Sequence, residues 1–371
     1  MSAQLQPLPP KNYQESNTIL KKLALANRQL AELKGIATSI PNQTILINTL
    51  ALQEAKFSSE IENIITSQDA MYKQQMFGDV VFDSAAKEVG LYSDALRYGF
   101  DLVRKQHMLS LNHVEEIHLR MMPSSQGLRK LPGTILKNPA TNQIVYTPPQ
   151  DYKEVRSLME NLMDYINMPD KDNIDPLIKM AIIHYQFESI HPFYDGNGRV
   201  GRIINVLYLV LSDLLSLPIL YMSRYIIRNK NEYYRLLREL PETNDWEPWI
   251  LYMLDAVEQT SKETIILVKA IRDLMQDYKH RIREQLPHLY SQDLINNLFK
   301  HPYTKIEFLM RDLDIERQTA GKYLNKLTDE GYLRKEKIGR TNYYINQPLF
   351  NLFSKDTSGR ENINIETINI G

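Results

Sequence analysis

The chain has 371 residues, 43% hydrophobic and 24% charged, which is the make-up of an ordinary soluble protein long enough for two or three hydrophobic cores. Lys+Arg 44 against Asp+Glu 45 gives a formal net charge of -1, so no whole-chain field draws it to nucleic acid or anionic membrane, and any basic surface must be local. The absence of cysteine excludes disulfides, thiolate zinc sites and cysteine nucleophiles.

The opening stretch MSAQLQPLPPKNY lacks the apolar core of a signal peptide, and no apolar run approaches the roughly 18 residues of a membrane-spanning helix, so a cytoplasmic protein without a membrane partner is expected. Pro7, Pro9 and Pro10 mark an extended or flexible entry. Leu20, Leu23, Leu30 and Leu33, then Leu46, Leu50, Phe57 and Ile61, recur at helical spacing and predict two helices broken near Ile40-Pro41. Residues 1–75 thus read as a small helical lead-in.

A middle unit over about 80–260 carries a strong helical pattern through Leu177, Met180, Ala181, His184 and Phe187, and a second, from Ile203 to Leu220, reads as a buried core helix. Between Lys130 and Pro149 the signal changes kind. Pro132-Gly133 and Pro139 to Asn142 are turn signals, and Thr134 to Leu136 and Ile144 to Thr147 are short β-prone runs, which predicts a lone hairpin in a helical domain. A long helix from Ile250 to Gln285 leads to a boundary at Leu286-Pro287. Over 288–350, helices near Gln292 to Lys300, Lys305 to Arg311 and Glu316 to Gly331 precede two β-prone pieces around the turn Gly339-Arg340, the order of a winged helix-turn-helix. The tail 355–371 reads as disordered. The predicted fold class is mainly α, a helical core with one β-hairpin plus a small winged-helix domain.

The chemistry concentrates in His191-Pro-Phe-Tyr-Asp-Gly-Asn-Gly-Arg-Val-Gly-Arg202. Gly196, Asn197 and Gly198 lead into an apolar helix, whose unpaired N–H groups and positive dipole end can cradle a phosphate. Arg199 and Arg202 lie three apart on that helix, where two guanidinium forks can hold adjacent phosphates of a di- or triphosphate. Asp195 offers a hard carboxylate for Mg2+ bridging two phosphates. His191, whose ordinary pKa is near neutral, is the natural general base for a hydroxyl, and Phe193 would anchor the loop. A GxG, a histidine before a loop or an arginine pair is each commonplace alone, and their ordered occurrence within twelve residues is what points to one site.

Those positions match the HxFx[DE]GNGRxxR signature, and the chain therefore resembles the Fic (Fido) family. The resemblance implies a helical core that transfers AMP from ATP to a Ser, Thr or Tyr hydroxyl of a target protein and releases pyrophosphate. His191 would be the base, Asp195 the Mg2+ ligand, and Gly196, Asn197, Gly198, Arg199 and Arg202 the phosphate site. It also gives the hairpin a role, as a flap from Gly133 to Pro149 on which Ile144, Val145 and Tyr146 would clamp the target by strand addition. Tyr225, Tyr233 and Tyr234 are candidates to line the adenine pocket, with Tyr233 taken as nucleotide-binding.

Upstream, Ser58, Glu62 and Asn63 resemble the family's inhibitory motif [ST]xxxE[GN]. Ser58 and Glu62 lie one turn apart on one helix face, so a docked helix would present the carboxylate to Arg202 in competition with the ATP γ-phosphate. In the C-terminal module, Arg317, Gln318, Lys322 and Lys326 on the second helix and Arg334, Lys335, Lys337 and Arg340 on the wing would suit DNA, while such modules also dock proteins. Family members of this layout are often homodimers. Three alternatives stay open: transfer of another phosphate-containing group, AMP removal with Glu62 positioning water, and a nucleotide-sensing DNA-binding regulator.

Overall fold

The computed structural model describes residues 5–11, 13–78, 83–137, 142–168, 174–338 and 341–354. The chain divides into two compact units, Met1–Ile265 and Ile266–Gly371. The fold is mainly helical, as the apolar periodicity predicts, and no helix among the described residues is long and apolar enough to cross a membrane.

In the first unit α1 (Asn17–Ala37) starts where Ser16 caps the Ile19 N–H, and it buries Ile19, Leu23, Ala26, Leu30, Leu33 and Ala37, a stripe of alternating three- and four-residue steps. Leu20, expected on that stripe, is exposed, because Ile19 takes the inward position. α2 (Thr44–Ile61) is different, since Glu54, Ser58 and Ser59 are buried along with its apolar residues. It packs against α4 (Ser84–Gln106), α8 (Asn197–Leu211) and α9 (Ser223–Arg228). Buried polar groups need partners inside the protein, which the site below supplies for Glu54 and Ser58. The lead-in is thus part of the same unit as the core, not a separate element before it.

α4, α5 (Leu111–Met121) and α6 (Tyr152–Asn167) pack on a centre formed by α7 (Pro176–Ile190) and α8, both buried along almost their whole length, and α3 (Gln68–Phe77) packs on α4. Asp175 caps α7, with Pro176 in the first turn where a missing N–H costs nothing. The helix predicted to reach Leu220 stops at Leu211. The expected extended entry is anchored: Leu8 is buried, and the Asn161 amide accepts its N–H at 2.7 Å and donates to its C=O at 3.0 Å. The hairpin consists of β1 (Leu136–Lys137) and β2 (Ile144–Tyr146), antiparallel with Leu136 opposite Tyr146. Of its predicted turn, Pro139 to Thr141 lie outside the described residues. α10 (Lys230–Thr243) follows, and α11 (Glu247–Gln285) continues into the second unit.

The second unit holds α12 (Gln292–Lys300), β3 (Tyr303–Thr304), α13 (Ile306–Leu313), α14 (Arg317–Asp329), β4 (Arg334–Ile338), β5 (Thr341–Ile345) and α15 (Gln347–Ser354). Its sheet runs β3-β5-β4, all antiparallel. A unit starting at 288, as expected from Leu286-Pro287, would leave out the last turns of α11. The Tyr278 hydroxyl, buried, donates within 2.9 Å of the Tyr332 carbonyl and lies 3.1 Å from Asn346 Oδ1, so this stretch of α11 is core to the unit. The predicted turn at Gly339-Arg340 and the tail 355–371 lie outside the described residues.

Candidate active site

The loop between α7 and α8 is held from below. His191 ends α7 in the left-handed region (φ 50°, ψ 59°), a conformation that costs a non-glycine residue on the order of 1 kcal/mol or more and persists only when its surroundings enforce it. Arg129, buried, does so: its Nε donates to the His191 carbonyl at 2.8 Å and one Nη to the Ile190 carbonyl at 3.2 Å and to that of Pro149 at the base of the hairpin. Asn197 closes the loop across four residues, accepting the Phe193 N–H and donating to the Phe193 C=O, both at 2.8 Å. Phe193 is fully buried and stacks on His118 at 3.7 Å. His118 Nε2 lies 2.9 Å from the Asp195 carbonyl and its Nδ1 2.9 Å from Ser125 Oγ, so the Nε2–H tautomer satisfies both contacts. Asn197→Ala is expected to leave the buried N–H and C=O of Phe193 unpaired at a cost of about 2–4 kcal/mol, read as a fall in melting temperature of roughly 5–10 °C.

Gly196, at φ 78°, is the N-cap of α8, and a Cβ there would lie 2.9 Å from Met121 Cε. At Gly198 a Cβ would lie 2.5 Å from Glu62 Oε1 and 3.0 Å from an Arg202 Nη. The first turn of α8, with N–H groups that have no intrahelical partner, is thus open to close approach, and here the approaching group is a carboxylate.

Arg202 is 2% exposed and is gripped by the end of α2. Its Nε donates to Ser58 Oγ at 2.7 Å, and one Nη donates to the Ser58 carbonyl at 3.0 Å and to Glu62 Oε1 at 2.7 Å. Burial works against its charge, but Glu62 together with Tyr233, Tyr92 and Glu188 outweighs it, and its pKa is raised. Ser58 and Glu62 thus meet Arg202 as a pair, while Asn63, at φ 62°, forms the turn that follows. Deeper on the same face of α2, Glu54 accepts the Ser223 N–H at 3.1 Å, the Ser223 hydroxyl, and the Tyr92 hydroxyl at 3.3 Å. Burial pushes its carboxyl up to about 7.

Glu62, Asn63, His191, Gly198 and Arg202 border one cavity of about 760 Å3, closed on its far side by Leu136, Val145 and Tyr146 of the hairpin and by Tyr233 and Tyr234 of α10. His191 Nδ1 is buried without a hydrogen-bond partner. Burial, with Arg129 acting in the same direction, lowers its imidazole to about 4, so the ring is neutral and free to accept a proton. Half-buried Glu188 also borders the cavity; its Oε1 is shut off from solvent without a partner, and that burial raises the carboxyl to about 7.

Three of the expected site residues, Arg199, Tyr225 and Ile144, do not border this cavity. Arg199 does not border the cavity: it is buried with one Nη 3.1 Å from Glu88 and the other 3.3 Å from the Met122 sulfur, because α4 and the end of α5 supply an acceptor and an apolar wall on that side of α8. The two arginines therefore do not line the cavity together. Tyr233 borders the cavity but is almost fully buried, its hydroxyl 2.8 Å from His184 Nε2, whereas Tyr234 is partly exposed and Tyr225 packs edge-on against Tyr252 away from the cavity. Ile144 is 61% exposed and does not border it either, while the Tyr146 hydroxyl donates to the Ser189 carbonyl at 3.0 Å and fastens the hairpin to α7. Sequence reasoning missed Arg129, Glu188 and Lys230; Glu188, three residues before His191 on one helix, carried a usable signal, and the other two are brought in only by tertiary packing.

Asp195 is exposed, and its Oδ1 accepts the Gly196 N–H at 2.6 Å. Among the described residues no group of three His, Asp or Glu is placed to hold a metal ion. A single exposed carboxylate beside a phosphate cradle still suits Mg2+, which is bound through one or two carboxylates together with substrate phosphates and water.

In the second unit, three of the exposed cations expected to face DNA are matched by acids: Arg317 with Glu307 at 2.8 Å, Lys326 with Glu330 at 2.6 Å and Arg334 with Glu336 at 2.6 Å, while Lys335 donates to Asn325 at 2.9 Å. Arg340 lies outside the described residues.

The helical core thus brings the first turn of α8, Arg202 of the same helix and the neutral His191 at the end of α7 to one cavity. Residues 20–101 match the Fic/DOC family N-terminal model, 108–209 the Fic/DOC family model and 274–349 the C-terminal domain of SoFic-like protein adenylyltransferases. Over 20–101 and 108–209 the chain is thus similar to the Fic/DOC family. It is 27% identical over 186 residues to the protein adenylyltransferase fic-1 of Caenorhabditis elegans, covering 48% of this chain and 34% of that protein. To the "probable protein adenylyltransferase" of Aquifex aeolicus it is 37% identical over 97 residues, 26% of this chain and 27% of that one. The chain thus spans about a third of the length of the curated relatives it matches. Among solved structures, a Fic family protein from Desulfovibrio desulfuricans superposes with a TM-score of 0.57 at 20% identity, covering 91% of this chain and 98% of that one. Fic-1 of C. elegans does so at 0.53 and 21%, covering 68% and 75%, and both likenesses concern the fold.

Proposed function

We propose that this protein is a nucleotidyltransferase that moves AMP from ATP to a Ser, Thr or Tyr hydroxyl of a protein target, releasing pyrophosphate, and that Glu62 holds it in a resting state. The observation that carries the reading is that a neutral imidazole with an unpartnered Nδ1 and a buried guanidinium border the same cavity as the open first turn of α8. In this reading the α8 N-terminus around Gly196, Asn197 and Gly198 binds the phosphates and Arg202 holds the γ-phosphate. His191 takes the proton of the attacking hydroxyl, whose oxygen then bonds the α-phosphorus as the bond to pyrophosphate breaks. Asp195 would hold Mg2+, which neutralises charge on the phosphates when bound. The hairpin residues Val145 and Tyr146, beside His191 in the cavity wall, would set the target segment across it. The adenylyltransferase names of the relatives support AMP as the transferred group.

Label from ATP separates the candidate transfers. AMP transfer marks protein with the α-phosphate and never the γ-phosphate, while transfer of the terminal phosphate does the reverse, so γ-label in protein would overturn the reading. The pH profile gives a second check. With the His191 pKa near 4 in the folded protein, only about one ring in a hundred is protonated at pH 6. The transfer rate of an activated variant is therefore expected to stay nearly level between pH 7.5 and about 5.5, instead of halving near the ordinary histidine value of about 6.5.

A further inference from the structure

With Arg199 turned toward Glu88, the cations that border the cavity are Lys137, Arg202, Lys230 and Arg238. Lys230, at the start of α10, is the one that shares the end of α2 with Arg202. It borders the same cavity as Arg202, Gly198 and His191, and its ammonium donates to the Ile61 carbonyl at 2.5 Å, with Asn63 Oδ1 at 3.5 Å. Ile61 is the last residue of α2, whose free carbonyls make the helix end partially negative. Two cavity cations thus sit on one end of one helix, Arg202 on Ser58 and Glu62, and Lys230 on Ile61.

We propose that Lys230 is a second polyphosphate-binding residue of this site, held in the resting protein by the carbonyl end of α2. The inference rests on the proposed reading of Glu62 as a brake and extends it. The end of α2 then stands in for the nucleotide's phosphates on both cations at once: its carboxylate on Arg202 and its dipole end on Lys230. The two roles give Lys230→Met opposite effects in two backgrounds. With Glu62 present, losing the ammonium loosens the end of α2, and label incorporation from α-labelled ATP should rise about three- to tenfold, as for loss of one charged hydrogen bond at a half-exposed site. With Glu62 already replaced by glycine there is no brake left to loosen, and the same substitution should instead weaken equilibrium ATP binding by about fivefold or more.

The decisive measurement is calorimetric titration of ATP with Mg2+ into Glu62→Gly and Glu62→Gly/Lys230→Met, with Lys230→Arg as the charge-keeping control. Weaker binding in the methionine variant, restored by arginine, supports the proposal. Equal affinity in both proteins overturns the phosphate role, whatever the transfer assay shows. A lysine that merely packed α10 would weaken binding equally as arginine or methionine, which would also overturn it. Failure of Glu62→Gly to raise labelling over wild type would instead refute the brake, and the titration still decides Lys230 on its own.

Discussion

Glu62→Gly is expected to raise AMP incorporation from α-labelled ATP by roughly tenfold to a hundredfold, the rate equivalent of releasing one charge-assisted hydrogen bond. The Glu62 carboxylate lies 2.7 Å from an Arg202 Nη and, in the same place, 2.5 Å from where a Cβ of Gly198 would be, so it fills both the guanidinium and the open first turn of α8. A γ-phosphate cannot take those positions while the carboxylate is there. Removing it leaves Arg202 oriented, because Ser58 still binds the guanidinium through its hydroxyl and its carbonyl. Glu62 itself has ordinary backbone angles (φ −90°, ψ 17°), so Glu62→Gln, which keeps size and removes charge, should follow the glycine variant part of the way. The substitution is also well tolerated by the fold, since the Glu62 side chain remains 34% exposed and leaves no cavity behind. Equal labelling of wild type and both variants would show that Glu62 does not restrain the enzyme.

The parts of this site that could be read from the sequence are those fixed within a few residues of chain. The left-handed turn at His191, the Gly196 cap and the start of α8 are local consequences of twelve residues, and Ser58 and Glu62 are one turn apart on any helix. What was illegible depends on partners far away in the chain. Arg199 turns aside because Glu88 and Met122 wait on its side of α8, and no spacing within the motif reports that. Lys230 reaches Ile61 across 169 positions. β3 has only two residues and exists because β5 offers an edge to pair with. The unit boundary inside α11 follows from Tyr278 bonding Tyr332, whereas Leu286-Pro287 marks only where the helix ends. Local chemistry was thus legible, and the direction in which each long side chain is drawn was not.

His191→Ala, placed in the Glu62→Gly background so that there is a rate to lose, is expected to cut transfer by about a hundredfold to ten-thousandfold, the usual worth of a positioned general base, while ATP binding changes little. The second half follows from the contacts. The ring nitrogen Nδ1 has no partner in the resting site, and the main-chain carbonyl that Arg129 holds at 2.8 Å survives the change. The phosphate grip assigned to α8 and Arg202 is likewise intact. Alanine at φ 50° is strained by about 1 kcal/mol, a small fraction of domain stability. Asparagine, which accepts the left-handed conformation more readily and cannot act as a base near neutral pH, removes even that objection. The two variants should therefore lose transfer alike and titrate with ATP like their parent. If both lose ATP affinity while remaining folded, His191 is a nucleotide-binding residue and another group must take the proton; half-buried Glu188, which borders the same cavity with its carboxyl near 7, would be the first to test.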